Sequence, residues 1–203
     1  MKILYCFTCV IISAALPAQT GQALTLSATD RDAIARITYA EAAGQGDTGL
    51  AAVVHVILNR LASGKFGKTT TEIINAKNQF EPATRSDGWQ NLPALNPQLR
   101  SKIDTIINLI LDGRLPDPTN GSLYFQNPAV VSRREAEGKV SKGLTRFNGS
   151  SPAAVIRDHE FYASIRSGKN TRINLPKIKS RPVQSWDIYG QSSANTTWDV
   201  FTR

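Results

Sequence analysis

Cysteine is almost missing from this sequence of 203 residues, because only Cys6 and Cys9 occur and both lie in the N-terminal segment. Without that segment the chain would have no disulfide, no thiol nucleophile and no cysteine-bound metal. Histidine is equally scarce, since His55 and His159 stand 104 residues apart. A zinc site needs about three protein ligands, usually with several histidines. A zinc amidase or endopeptidase is therefore disfavoured, and we expect no metal and no cofactor.

The sequence also lacks an apolar run long enough to span a membrane. The longest, Ile3 to Leu16, has 14 uncharged residues, whereas a spanning helix needs about 20. Lys2 precedes this run, and small residues ending at Ala23 follow it, which is the pattern of a secretory signal. We expect residues 1–23 to be a signal peptide and the protein to be exported to the periplasm or cell wall, with no stable membrane span after cleavage. The alternative is a buried N-terminal helix.

Acidic residues are outnumbered, and the formal net charge is +8. No lysine-rich block or nucleic-acid motif accompanies this charge, so we expect an anionic partner other than nucleic acid. The composition changes after Arg166, where basic residues become frequent and apolar ones rare. We expect one folded domain over residues 24–166 and a basic tail over residues 167–203. The tail repeats a Trp-Asp-aliphatic-aromatic motif at Trp186–Tyr189 and Trp198–Phe201.

The most informative stretch is residues 34–60, which predicts two helices joined by a glycine turn. Ile34, Ile37, Thr38 and Glu41 recur at helical spacing and therefore share one face of the first helix. Glu41 thus ends a mostly apolar stripe. Apolar surroundings disfavour the charged form of a carboxyl group and raise its pKa. A Glu in that setting can donate a proton at neutral pH.

The remaining patterns predict a predominantly helical α+β domain with a short β-sheet region. Thr29 and Asp32 are expected to cap the first helix, which would end near Ala42, and Asp47 or Thr48 to cap the second, which would end at Gly64. A further helix is expected to begin at Pro97, with Asn96 as its cap. The other expected elements are a helical turn at 71–76, a loop at 77–95, a surface loop at 132–151, and strands at 123–125, 153–157 and 160–163.

Four sequence blocks are distinctive: YAEAAGQGDTGLAAVVHVILNR, beginning at Tyr39, then KNQF, GSLYFQNPAV and DHEFY. In order and spacing, from about Asp30 to Arg166, they resemble the spore-cortex-lytic enzyme (SleB-like) cell-wall hydrolase family. The resemblance implies a small lysozyme-like fold. It also implies that peptidoglycan glycan strands are cleaved between N-acetylmuramic acid and N-acetylglucosamine by one glutamate, Glu41. The sequence departs from the family pattern at Ala43, where the family has Arg, and at Gln45, where it has a second Glu.

One glutamate is enough for a lytic transglycosylase, in which the same group acts as general acid and then as base. A muramidase-type hydrolase would need a second carboxylate or an ordered water. Glu81 is the best candidate for that second acid and Asp158 the next, although either could be an ordinary loop acid. A non-catalytic wall-binding protein is a further alternative, because of the changes at Ala43 and Gln45.

Polar and aromatic residues in the matched blocks are expected to bind the sugar chain, with core packing as the alternative for Phe80 and a buried, hydrogen-bonded state for His159. These candidates are Gln79, Phe80, Tyr124, Asn127, His159 and Tyr162. Arg60 is expected to fix the end of the second helix and could pair with an acid. The tail motifs suggest either a hairpin on the domain or a docking segment for a protein partner in the cell envelope.

Overall fold

A computed structural model describes residues 24–166 of the chain, and the predictions made for residues 1–23 and 167–203 lie outside this range. Helices make up most of the regular structure, and a small antiparallel sheet follows them in the sequence, as expected for a predominantly helical α+β domain. Within the described range the elements are α1 (Ala28–Ala42), α2 (Gly46–Ser63), α3 (Thr70–Asn75), α4 (Glu81–Arg85), a 3-10 helix (Trp89–Asn91), α5 (Pro97–Leu111), β1 (Tyr124–Gln126), α6 (Pro128–Ala136), α7 (Arg146–Gly149), β2 (Ala154–Ile156) and β3 (His159–Tyr162).

The first helix begins two residues earlier than its sequence pattern predicted. Ser27 is the N-cap, because its hydroxyl accepts a hydrogen bond from the backbone N–H of Asp30 while the Asp30 carboxylate accepts one from the backbone N–H of Ser27. The predicted cap pair of Thr29 and Asp32 was therefore wrong. Asp32 instead forms ion pairs with Arg36 and with an arginine of α5.

The start of α2 was also predicted incorrectly. Gln45 occupies the cap position, and its side chain makes no capping hydrogen bond within the described residues. Asp47 lies inside the helix and accepts a hydrogen bond from Lys102 Nζ at 2.9 Å. The end of α2 agrees with the prediction, because Gly64 has a left-handed φ of 64°. A glycine adopts this conformation without a steric penalty.

Helix α2 lies at the centre of the core, with α1, α3 and α5 packed around it. The largest fully buried aliphatic side chains come from these helices, and burial of each contributes roughly 1.5–3 kcal/mol to folding. They are Ile34, Ile37, Val53, Val54, Ile57, Ile73, Ile74, Ile103 and Ile107. Burial of Ile34 and Ile37, together with Thr38, confirms that one face of α1 is turned into the core. The packing of α1 against α2 fixes the position of the last turn of α1.

The sheet has the order β1-β3-β2, with both pairs antiparallel. Its inner face carries Phe125 and Phe161, which lie opposite each other in the register and pack against Ala52 and Val56 of α2. Its outer face carries Tyr162, which contacts the Phe147 ring of α7 edge-on at 5.1 Å. The strands lie where the sequence predicted them, within one or two residues at each end.

The predicted surface loop at 132–151 was wrong in its first part, because α6 extends to Ala136. Asn127 caps this helix through hydrogen bonds from the backbone N–H groups of Ala129 and Val130 to its Oδ1 atom. The second part contains α7, where Arg146, Phe147 and Asn148 have left-handed φ values of 51°, 45° and 57°. The predicted loop at 77–95 likewise contains α4 and the 3-10 helix.

Candidate active site

Glu41 lies in the last turn of α1, at the edge of the core. Its side chain is partly buried, and Thr38, one turn earlier, is fully buried. The pKa of Glu41 is raised to about 7, first by burial and then by the negative charge of Glu81. The backbone N–H of Glu81 and the positive charge of Arg60 oppose this rise. Near neutral pH, Glu41 is therefore present in both protonated and ionised forms.

Arg60 is a buried cation beside Glu41. Its Nε atom donates a hydrogen bond to the carbonyl oxygen of Leu123 at 2.7 Å, and its guanidinium carbon lies 4.8 Å from the ring centres of both Phe66 and Phe80. Burial lowers the pKa of Arg60 to about 10, and the charges of Tyr124 and Glu41 oppose that change. Its Nη1 atom has no hydrogen-bond partner among residues 24–166. The sequence suggested that Arg60 fixes the end of the second helix and could pair with an acid, but it did not indicate the contact with Leu123 of the distant strand region.

Glu81 begins α4 and is exposed, and its charge acts on Glu41. Its Oε1 atom lies 2.6 Å from Arg85 Nη2 and 2.6 Å from Arg134 Nη1. The Glu81 carboxylate therefore bridges two guanidinium groups. The structure thus brings the candidate second acid within electrostatic range of Glu41. Its role in a reaction stays a prediction.

Gln45, one turn beyond Glu41, links α1 to the turn between β2 and β3. Its Nε2 atom donates to Asp158 Oδ2 at 3.2 Å, and its Oε1 atom accepts from the backbone N–H of Asp158 at 3.1 Å. Gly49 is required for this arrangement, because a Cβ atom there would lie 2.2 Å from Gln45 Cβ. At the position where the family has a second Glu, the Gln45 amide therefore forms two hydrogen bonds with Asp158, one as donor and one as acceptor. Asp158, the other candidate acid, is engaged in that contact.

Two of the predicted sugar-binding residues lie next to Arg60. Phe80 is fully buried, and its ring lies 6.3 Å from that of Phe125, so it is part of the core. Tyr124 is half-buried and contacts Phe66 edge-on at 5.5 Å. Burial raises the pKa of the Tyr124 hydroxyl, and the charge of Arg60 opposes this rise. Tyr124 thus remains a candidate for contact with substrate near Glu41.

The other predicted sugar-binding residues are committed to structural contacts or lie at the edge of the site. Asn127 caps α6. The Tyr162 hydroxyl donates to Glu160, and burial raises the pKa of Tyr162. His159 is buried edge-on against Phe125, its pKa is lowered by burial, and its Nδ1 atom has no partner within the described range. Gln79 is half-buried and directly precedes Phe80. A binding role for each of these residues stays a prediction.

Between residues 24 and 166, no group of three or more His, Cys, Asp or Glu side chains is placed to hold a metal ion. In the same range, no helix is long and apolar enough to cross a membrane.

His55 lies in α2 with its Nδ1 atom 3.8 Å from Asp117 Oδ1, and burial lowers its pKa. His55 in α2 and His159 in β3 therefore belong to different elements and have different contacts.

Comparison with known proteins identifies the family. The model of a family described as Cell Wall Hydrolase matches residues 44–162, beginning three residues after Glu41. The crystal structure of the catalytic domain of the Bacillus cereus SleB protein is similar at 25% sequence identity and a TM-score of 0.50, covering 68% of this chain and 92% of that one. Comparison with curated proteins gives no match. The predicted lysozyme-like α+β fold and the SleB-like resemblance are confirmed. Since the match extends over more than half of its length, the chain belongs to the cell wall hydrolase family.

Proposed function

We propose that this protein is a lytic transglycosylase that cleaves peptidoglycan glycan strands between N-acetylmuramic acid and N-acetylglucosamine, with Glu41 as general acid and then general base. Membership of the cell wall hydrolase family makes it a peptidoglycan-degrading enzyme. The observation that carries the finer proposal is the environment of Glu41. Its pKa of about 7, the result mainly of burial, means that the protonated form that a general acid needs is populated at neutral pH.

In the first step, the Glu41 carboxyl group donates its proton to the oxygen between the two sugars. The bond from that oxygen to C1 of N-acetylmuramic acid breaks, and N-acetylglucosamine leaves with a new hydroxyl group. Positive charge develops at C1, where the N-acetyl group of the substrate can stabilise it. The Arg60 cation near Glu41 favours the carboxylate that remains.

In the second step, the Glu41 carboxylate accepts the proton of the muramic acid 6-hydroxyl group. The 6-oxygen then bonds to C1 and closes a 1,6-anhydro ring. No water is consumed, so no second carboxylate is needed to activate one. This agrees with the state of Glu81, whose carboxylate is bound by two arginines.

A second candidate function is hydrolysis with Glu81 as the second acid. The supporting observation is that a second carboxyl group, that of Glu81, lies within electrostatic range of Glu41, since most glycosidases use a pair of carboxyl groups. Water would then attack C1, and the product would carry a reducing end. A non-catalytic wall-binding protein, the third alternative, would bind sacculi and release nothing.

Digestion of purified sacculi followed by mass spectrometry distinguishes these candidates. We expect muropeptides with 1,6-anhydro ends, and we expect Glu41→Gln to lower the rate of their release by about 10²–10⁴, the usual contribution of a general acid. Glu137→Gln is the matched control, because Glu137 is an exposed glutamate paired with Lys139. Reducing ends would replace the transglycosylase proposal with the hydrolase. Release by Glu41→Gln at the parental rate would remove Glu41 from the mechanism.

We also propose that the enzyme is exported and acts in the periplasm or cell wall, where peptidoglycan is found, with residues 1–23 as its signal peptide and 24–166 as its catalytic domain. The basic tail is proposed to dock the enzyme on an envelope protein. Deletion of residues 182–203 tests the tail: unchanged thermal stability with loss of the complex supports docking. Loss of stability supports a hairpin packed on the domain.

A further inference from the structure

A cavity of about 340 Å³ lies between the start of α6 and the turn that joins β2 to β3. Glu41 is not part of its wall. Its charged lining residues are Arg133, Arg157, Asp158 and Glu160, and Val130 and Val155 are apolar residues of the same wall. Because Asp158 of its wall is bonded to Gln45, the cavity lies next to the candidate active site.

Two unpaired cations line this cavity. Arg133 and Arg157 are exposed, and neither side chain forms a hydrogen bond or ion pair with any residue between 24 and 166. By contrast, the neighbouring Arg134 of α6 is bound to Glu81. A guanidinium group without a protein partner is available to bind a carboxylate or phosphate in two-point geometry.

The acidic residues of the cavity wall do not neutralise these cations. Glu160 is bound by Arg146 at 2.8–3.1 Å and also accepts the Tyr162 hydroxyl hydrogen bond. Asp158 accepts a hydrogen bond from the Gln45 amide. With Glu160 matched by Arg146, two arginines face one aspartate, and the wall keeps one excess positive charge.

Apolar groups lie next to the two arginines. Val130 and Val155 are among the large hydrophobic side chains that are exposed, at 38% and 62%. Both line the cavity. A ligand with a carboxylate beside a methyl group would satisfy the charge and cover exposed apolar surface at once.

The cavity is tied to the candidate active site on both sides. On one side, α6 carries Arg133 toward the cavity and Arg134 to Glu81, which interacts with Glu41. On the other side, the turn that carries Arg157 and Asp158 is bonded to Gln45, one turn beyond Glu41. The cavity and Glu41 are therefore connected through two hydrogen-bonded segments of the chain.

We infer that this cavity is a subsite for a free carboxylate of the stem peptide carried by muramic acid next to the cleaved bond. The inference rests on the proposed function for its substrate. Stem peptides offer carboxylates and the methyl groups of alanine residues, which matches the lining. The enzyme therefore favours strands that carry peptides over bare glycan.

The test compares two substrates, intact sacculi and the same sacculi freed of stem peptides by an amidase. In the double variant Arg133→Gln with Arg157→Gln, we expect KM on intact sacculi to rise on the order of tenfold, because two charge-assisted hydrogen bonds are lost, while kcat changes little. On peptide-free strands we expect no change. Arg114→Gln is the matched control, since Arg114 is exposed and outside the cavity.

The inference is overturned if the double variant loses activity equally on both substrates or keeps its full affinity for intact sacculi. An equal loss in Arg114→Gln overturns it as well, because the effect is then general attraction to an anionic polymer. Should the double variant fail to fold, each single variant is measured in the same way. The identity of the product ends and the activity of Glu41→Gln report on the proposed function separately.

Discussion

The buried position of Glu41 is expected to reduce the stability of the folded protein as pH rises. The pKa of Glu41 is about 7 in the folded state, against an ordinary value of 4.5. Below pH 4.5 the carboxyl group is protonated in both states, so its titration has no effect. Between pH 4.5 and 7 the unfolded chain releases this proton first, and stability falls. The difference of about 2.5 pH units corresponds to about 3 kcal/mol, lost fully above pH 7.

Glu41→Gln removes this effect, because the amide has the same shape and does not ionise. We expect the variant to have a free energy of unfolding higher than that of the parent by up to about 3 kcal/mol at pH 8, and nearly the same at pH 4. Urea denaturation at pH 4, 6 and 8, followed by fluorescence of the buried Trp89, measures the difference. Titrations that the two proteins share cancel in this comparison.

Glu137→Gln serves as the control, since it removes an exposed carboxylate, and its effect should be below about 0.5 kcal/mol at every pH. An effect of Glu41→Gln that does not change with pH would refute the reasoning, because the stabilisation would then come from packing. Destabilisation at pH 8 would refute it too, since it would mean that the ionised form is the one that the fold stabilises.

Three further changes test the surroundings of Glu41. Glu81→Gln should move the alkaline limb of the pH–rate profile to lower pH, because a negative charge that raises the pKa of Glu41 is lost and two arginines are freed. Loss of activity at every pH would instead make Glu81 the second acid. Gln45→Glu should lower the free energy of unfolding, measured by urea denaturation, by about 1–3 kcal/mol, because the new carboxylate would face Asp158. Adding Asp158→Asn should recover most of that loss. Equal stability of the single and double variants would argue against the contact. Asn127→Ala should lower thermal stability by about 0.5–2 kcal/mol through loss of the cap of α6, with KM unchanged; a raised KM at full stability would instead favour sugar binding.

Much of the helical framework could be predicted because its signals are local. Asn96 does cap α5, through a hydrogen bond from the backbone N–H of Leu99 to its Oδ1 atom, and Gly64 ends α2. The start of α2 could not be predicted from such signals. Gln45 takes the cap position because its side chain is held by Asp158, 113 residues away, and a pattern of neighbouring residues contains no information on that contact.

The candidate site likewise contains residues that the sequence predicted and residues that it could not. Glu41 followed from its helical face and from the family resemblance, and the fold places it in a partly buried position with a raised pKa. The surroundings that determine this pKa come from three separate segments, since Arg60 belongs to α2 and Glu81 to α4. The sequence could not show that Asn127 caps α6. An amide in a matched block can accept hydrogen bonds from the neighbouring backbone rather than bind a ligand.

The opposing influences on Glu41 have a consequence for both halves of the proposed reaction. A strongly acidic carboxyl group would release its proton easily but would be a poor acceptor afterwards, and a strongly basic one would show the reverse. Burial raises the pKa of Glu41, while the charge of Arg60 and the backbone N–H of Glu81 lower it. At neutral pH the exchange of its proton with solvent therefore costs little net free energy in either direction. A single group balanced in this way can serve bond cleavage and ring closure equally well.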